Sequence, residues 1–391
     1  MNKIWTKNFI HISLAMLLLV MAFYILIPTL PIFIKQLGGT ESQVGLVTGI
    51  FTLSAVLVRP LVGGMVDRYG RRPFMIGGLI LFALTMYLYD WIGGLIYLVA
   101  LRMFHGVSWA ISTNSIATAV TDIIPNNRRG EGMGWFGMFT TLGMAVGPVV
   151  GVWITENYSF HALFLLATGF VIAALLIAYV TNIPFQPRNV SGPISYLDKS
   201  VFPTSLVTFF MTISFGGIIT FMPLFAGTIA VNSGTFFLVY AVTLTLIRPI
   251  AGKLTDRYGE AIVIIPALGM SIVATLTLAV SYGLFGVLVS AVLYGIGFGA
   301  AQPALQAATI NLAPPDKKGI ANASFFTAFD LGIGLGSILL GGVSQYMGYR
   351  ALFCVASISG IAALLLFSVY ARGFLKNRKN SNKERINRSL N

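Results

Sequence analysis

The sequence predicts an all-α membrane protein of twelve transmembrane helices, built as two parallel-repeat halves of six. Three observations predict it. Of the 391 residues 56% are apolar and only 9% charged, whereas a soluble chain carries roughly a quarter charged residues. Apolar runs long enough to span a bilayer recur along the chain. Finally, VRPLVGGMVDRYG at 58–70 returns as IRPIAGKLTDRYG at 247–259.

So little charge cannot cover a water-exposed surface, so the solvent for most of the surface is lipid. The net charge of +13 raises nucleic acid as a partner. The basic residues sit instead in short loops and in the C-terminal tail, so no nucleic acid is expected. Cys354 is the one cysteine, which excludes an intrachain disulfide and any multi-cysteine metal site. His11, His105 and His161 fall in separate spans. With no Walker-type loop, HExxH or GxSxG, the chain is not expected to be an enzyme or to hold a cofactor or metal. The segment from Met1 to Lys7 is short and basic like a signal-peptide start, but no small-residue cleavage site ends the first apolar run. That run reads as a retained span.

A span needs about 20 mainly apolar residues. The runs lie at 8–34, 42–66, 73–90, 93–121, 130–154, 160–182, 200–226, 232–254, 261–281, 284–311, 319–342 and 349–372. Gly, Pro, Asn and charges punctuate the breaks. Loops after even-numbered spans carry the Lys and Arg, including Arg68, Arg71, Arg72, Arg128, Arg129, Arg257 and Lys317, whereas the other side has Lys35 and Arg350. The positive-inside rule then makes both termini cytoplasmic in a multi-pass protein of the cell membrane. The basic tail, 373–391, is expected to lie against anionic lipid.

The repeat holds one register. Asp67 and Asp256 are 256 − 67 = 189 apart, and the same offset pairs Gly106 with Gly295, Gly143 with Gly332 and Pro125 with Pro314. The expected domains are therefore 1–182 and 200–372, joined by a cytoplasmic linker at 183–199 that contains Pro184, Pro187 and Pro193. Six spans is an even number, so the halves share one orientation. Repeats of this kind are expected to place a substrate site between them.

The loop Gly63-Gly64-Met65-Val66-Asp67-Arg68-Tyr69-Gly70-Arg71-Arg72 resembles the signature of the major facilitator superfamily, G-x-x-x-D-R-x-G-R-R. Its counterpart keeps Gly252, Asp256, Arg257 and Gly259, with Glu260 where Arg71 would stand. Arg102-Met103-Phe104-His105-Gly106 is similar to the family's R-x-x-Q-G, with His105 in place of Gln. Gly143, Gly147, Pro148 and Gly151 resemble its G-x-x-x-G-P-x-x-G motif. The resemblance covers nearly the whole chain and is nearest to twelve-span drug:proton antiporters. It implies the major facilitator fold and proton-coupled export. It also implies a gating role for Gly63, Asp67, Arg68, Gly70, Arg71 and Arg72, for Asp256 and Arg257, and for the span-5 glycines with Pro148. Asp67 is expected to latch against a helix N-terminus, where an acid is stabilised. Span 1 lacks the acid that some members carry.

Ionisable groups within a membrane are costly and usually functional. Asp330 is the one acid in mid-span, and Arg102 is the basic group well inside, with His105 one turn further on. These three are the expected proton-coupling residues; the plainer alternative is an Arg102–Asp330 or Arg102–backbone pair that only fixes packing. Arg59 and Arg248 read as snorkelling to the interface. Cavity candidates are Met21, Tyr24, Trp109, Asn114 and Phe139 in the first half. In the second they are Phe215, Tyr240, Tyr294, Phe298, Gln302 and Phe326. The expected function is proton-coupled efflux of small hydrophobic or amphipathic compounds by a monomer, with a small-molecule substrate, protons and the bilayer as partners. Transport of a specific polar metabolite, such as a sugar or metallophore, and a non-transporting receptor are the alternatives.

Overall fold

The computed structural model describes residues 3–125, 129–183, 199–313 and 318–375. The regular structure among these is helical. The first half holds α1 (Lys7–Gln36), α2 (Glu41–Tyr69), α3 (Arg71–Leu88), α4 (Leu95–Ile123), α5 (Arg129–Asn157) and α6 (Phe160–Val180). The second holds α7 (Phe202–Thr228), α8 (Ser233–Tyr258), α9 (Glu260–Ala279), α10 (Leu284–Leu312) and a continuous stretch Lys318–Leu366, followed by one π-helical turn, Phe367–Ala371.

That last stretch has 49 residues. At 1.5 Å per residue it would reach about 74 Å, more than twice the hydrocarbon core of roughly 30 Å. Gly348 breaks it with φ 80° and ψ 171°, dividing it into α11 (318–347) and α12 (349–366). The 189-residue offset places Gly348 on Ser159, the N-cap of α6. The break therefore falls where the first half separates α5 from α6, and the described residues form twelve long helices.

Local chemistry accounts for the helix ends. Thr6 caps α1 by accepting from Phe9 N, and Thr40 with Gln43 forms a reciprocal capping box at α2. Gly70 (φ 101°) and Gly259 (φ 92°) turn the chain between α2 and α3 and between α8 and α9, a region of backbone space in which a Cβ is strained. Many large apolar side chains point outward, among them Leu57 at 74% and Phe285 at 82% exposed. In water such a surface would aggregate; in a bilayer it is the lipid-facing coat.

By packing, the chain forms two compact units. One comprises 1–194 with 219–238, and the other 195–218 with 239–391. In the first, α1 packs on α5 and α6, α2 on α4, and α3 on α4 and α6. Residues 219–238 join that unit, where Asn232 Nδ2 donates to Glu156 Oε2 (2.9 Å) and Gly234 lies against Val152. In the second unit α9 packs on α10 and on the Lys318–Leu366 stretch.

Close helix crossings repeat in register. A Cβ on Gly106 would overlap Phe51 O and Ser54 Oγ, and one on Gly295 would lie 3.0 Å from Tyr240 O and 2.7 Å from Thr243 Cβ. Phe51 and Ser54 are displaced by 189 onto Tyr240 and Thr243. Likewise Gly147 meets Tyr24 Cβ at 2.7 Å, and Gly336 meets Ile213 O at 2.6 Å. Tyr24 and Ile213 are again 189 apart. Without a hydrophobic drive between helices in lipid, small residues that let backbones touch hold such bundles together.

Candidate functional site

The signature loop closes one end of the first unit. Arg71 begins α3 and is 5% exposed. Its Nε pairs with Asp122 Oδ2 at 2.8 Å, and its NH1 donates to Val66 O. The loop is thereby tied to the C-terminal end of α4. Arg72 donates to Tyr179 O at 2.8 Å and so reaches the end of α6. Arg68 lies over Tyr69, 5.5 Å from the ring centroid, and its counterpart Arg257 lies over Tyr258 at 5.2 Å. The side chains of Asp67 and Asp256, and the surroundings of Gly63, lie outside the described residues, so the expected latch contacts do too.

In the second half Glu260 stands in the place of Arg71, 6% exposed, and accepts from Asn311 Nδ2 at 2.9 Å. Asn311 is the repeat counterpart of Asp122. At the opposite helix ends His161 Nδ1 lies 2.6 Å from Asp90 Oδ2, while Arg350 donates to Ala279 O and Ser281 O. His161 and Arg350 are related by the offset, as are Asp90 and Ala279. The positions are conserved between halves while the chemistry of each pair differs.

Arg102, His105 and Tyr89 form a buried polar cluster in the first unit, at 3%, 0% and 0% exposure. Arg102 Nε donates to Val47 O (3.2 Å), and NH1 donates to Tyr89 Oη and approaches His105 Nδ1, both at 3.3 Å. Tyr89 Oη lies 2.8 Å from the same nitrogen. A guanidinium only donates, so Nδ1 accepts and the ring proton sits on Nε2. That nitrogen has no hydrogen-bond partner among the described residues and lies among Phe82, Phe51 and Phe23. Of the two pairings considered for Arg102, the bonds described for it include the backbone one, to Val47 O. His105 Nδ1 thus lies between the Arg102 guanidinium and the Tyr89 hydroxyl.

Aromatic rings extend this cluster. The Arg102 guanidinium lies 4.4 Å from the Phe51 centroid. Phe51 stacks on Phe23 at 4.7 Å, and Phe23 on Trp109 at 4.4 Å. Trp109 was a cavity candidate from sequence; Phe23 and Phe51 were not. Their signal was available in the i, i+3, i+4 spacing of Phe23 and Tyr24 with Val20, but aromatic residues in apolar helices are too common to single out.

Gly143, Gly147 and Gly151 all face α1. A Cβ on Gly143 would lie 3.0 Å from Leu17 O, and one on Gly151 would overlap Ile25 O. Pro148 sits inside this helix. Met21 and Tyr24, two further cavity candidates, are half-buried beside Gly147, and Asn114 and Phe139 are also half-buried.

In the second unit Phe215, Tyr294 and Phe298 form a parallel stack, Phe215 to Phe298 at 4.1 Å and 17°. All three are at most 2% exposed, so they make the core of their unit rather than a lining. Tyr294 Oη bonds Ser214 Oγ at 3.2 Å. Tyr240 and Phe326 are half-buried. Asp330 lies in α11 at 9% exposure, next to buried Phe329. Arg248 NH2 donates to Gln302 Oε1 at 2.9 Å, so Arg248 turns to a neighbouring helix and does not snorkel as expected. Among the described residues no group of three or more His, Cys, Asp or Glu could hold a metal.

Twelve membrane-spanning helices in a 189-residue repeat, with buried charges and glycine-lined crossings, define a multi-pass membrane transporter. The chain belongs to the Major Facilitator Superfamily, whose sequence model matches residues 12–243 and 204–389. It is similar to the staphylopine export protein of Staphylococcus aureus strain Mu50, 24% identical over 356 residues, covering 86% of this chain and 89% of that protein. It is also similar to the multi-drug resistance efflux pump PmrA of Streptococcus pneumoniae, 27% identical over 375 residues, covering 90% and 93%. A crystal structure of the nucleoside transporter NupG shares the fold, with a TM-score of 0.76 at 14% identity, covering 93% of this chain and 100% of that one.

Proposed function

We propose that the protein is a proton-coupled exporter of small hydrophobic or amphipathic compounds, working by alternating access in the cell membrane. The observation that carries export is the glycine face of α5. Gly143, Gly147 and Gly151 bring α5 against the backbone of α1 in the motif that the family's exporters carry. The names of the relatives, an efflux pump and an export protein, support the same direction. A relative named for the export of one compound, staphylopine, also favours the second reading, a transporter of one specific metabolite.

Coupling is assigned to Asp330. It is buried in α11, twelve residues from the described start of that helix at Lys318, or about 18 Å along its axis. Burial disfavours a carboxylate and a nearby cation favours it, so alternating between environments would bind and release a proton. The signature loops supply the conformational bias, with Asp67 and Asp256 as latches. Such a contact contributes up to about 2 kcal/mol.

The test is transport against a gradient under an imposed pH difference in proteoliposomes. Asp330→Asn removes the titratable group at nearly constant volume. It should abolish uphill transport and leave downhill exchange intact. Uphill movement with unchanged pH dependence would place the proton elsewhere.

A further inference from the structure

The chain between α3 and α4 is held by two helices at once. It opens with a short 3-10 turn, Tyr89–Trp91. On one side the Tyr89 hydroxyl meets Arg102 NH1 and His105 Nδ1 of α4, at 3.3 and 2.8 Å. On the other side α6 touches the turn twice. Phe164 stacks on the Tyr89 ring, with centroids 5.5 Å apart and planes at 22°, and His161 Nδ1 lies 2.6 Å from Asp90 Oδ2. His161 and Phe164 are three residues apart and so share one face of α6.

These contacts differ in what can change them. Tyr89 and Phe164 are buried, whereas the His161 side chain is 62% exposed and that of Asp90 19%. An imidazole in water changes charge at about pH 6.5 and an aspartic acid at about 3.9. Charged, His161 gives Asp90 an ion pair as well as an N–H donor; neutral, it gives at most the donor. The added hold is present in acid and lost as the pH rises. The other charged groups at this end of the neighbouring helices are engaged elsewhere. Lys35 of α1 pairs with Glu41 at 2.8 Å, and Glu156 of α5 accepts from Asn232 at 2.9 Å. Beyond His161, α6 has no acid, Lys, Arg or His, and the charges of α3, Arg71 and Arg72, stand at its far end. Lys7 and His11 are likewise at the far end of α1, and Arg129 and Glu131 at that of α5. The phenols nearby, Tyr87 and Tyr158, belong to a class that titrates at about pH 10 in water.

The second half makes the corresponding tie without a titrating group. Arg350, the counterpart of His161, donates to Ala279 O and Ser281 O and lies 3.8 Å from the Tyr282 centroid. A guanidinium stays charged throughout the physiological range, so that tie does not depend on pH. Leu278 stands there in the place of Tyr89, so the second-half turn seats no buried hydroxyl. The titratable tie thus occurs in the half whose turn also carries a partner for Arg102.

We infer that Asp90 and His161 form a pH-dependent clasp at the end of the first unit opposite the signature loop: charged, His161 ties the Tyr89–Trp91 turn to α6, and loss of its proton loosens the turn. The inference goes beyond the transport reading and does not depend on Asp330.

The test puts a nitroxide spin label on the turn, through Trp91→Cys in a Cys354→Ser background of the full-length protein. Trp91 is 70% exposed, so the label replaces no core side chain. Spectra are taken in proteoliposomes with the same pH on both faces, so no proton gradient acts. An exposed ion pair shifts an equilibrium about two- to fivefold. The ratio of immobilised to mobile label should therefore rise by that factor between about pH 8 and about pH 5.5, a window that spans the imidazole transition. His161→Asn and Asp90→Asn should each abolish the rise. His161→Arg gives the first half the cation of the second and should hold the ratio at its acid value at both pH values. A ratio that does not change with pH overturns the clasp, as does a change that persists in His161→Asn or Asp90→Asn. A His161→Arg variant that still responds to pH as the wild type does also overturns it.

Discussion

Arg71 and Glu260 occupy the same point of the two repeats with opposite charge, and each reaches the residue 51 positions further along. Arg71 pairs with Asp122 and Glu260 accepts from Asn311. Both reaching residues are buried, and both partners sit at exposed helix ends. One geometry is thus satisfied once by an ion pair and once by a charge-assisted hydrogen bond.

The two solutions should be interchangeable. Arg71→Glu alone sets two acids together at the end of α4 and should lower the melting temperature in detergent by several degrees. Adding Asp122→Asn recreates the Glu–Asn pair of the second half and should recover most of the loss. A hydrogen bond to a charged group contributes about 1.5–3 kcal/mol, enough to resolve. A double variant no more stable than the single would show that the two ends are not equivalent.

The glycine crossings should not accept even a methyl group where backbone stands opposite. Gly151→Ala must displace Ile25 O, and Gly106→Ala must displace Phe51 O. Each should cut the yield of folded protein or the transport rate by tenfold or more. Gly77→Ala and Gly169→Ala meet nothing within 4 Å and should gain up to about 1 kcal/mol from helix propensity. Yield of monodisperse protein and its melting temperature separate the two pairs.

The Arg102 cluster should act first on stability. Tyr89→Phe removes one hydroxyl from between Arg102 and His105 and should cost about 1–3 kcal/mol. Arg102→Ala loses the bonds to Val47 O and Tyr89 together with the Phe51 face, and should cost more. If Arg102→Ala melts as wild type yet fails to transport, the residue acts on transport directly.

Topology can be read chemically. In a Cys354→Ser background, single cysteines introduced at positions 190 and 380 should be shielded from an impermeant thiol reagent in intact cells and react in inside-out vesicles. Labelling of either from outside would reverse the expected orientation.

The spans were legible because lipid demands long apolar runs, and every expected run has its helix. The repeat was legible because glycines and the signature loop held one offset. Partners across helices were not. Nothing near Arg71 in sequence marks Asp122, yet the offset carried a hint, since Asp122 and Asn311 are repeat counterparts. For Arg102 the sequence offered Asp330 or backbone as partner; the choice of Val47 O, with Tyr89 and the Phe51 face beside it, depends on helices that the local sequence does not contain. Phe215, Tyr294 and Phe298 were cavity candidates because they are aromatic, and became core because their rings stack on one another. Arg248 was given to the interface by habit of its residue type, and its bond to Gln302 depends on a helix that the local sequence does not contain.

Gly348 decides more than a bend. No atom lies within 4 Å of where its Cβ would be, so crowding does not require glycine there; its φ of 80° does. The first half makes the same break with Ser159 in ordinary extended backbone, φ −150°. The apolar stretch from 319 to 372 is too long for one crossing and is folded back as two at Gly348. An odd number of crossings would deliver the basic tail to the opposite face of the membrane, with seven Lys and Arg from Arg372 onward carried through the lipid. A side chain at position 348 would hold that backbone only under strain, so glycine favours the fold-back.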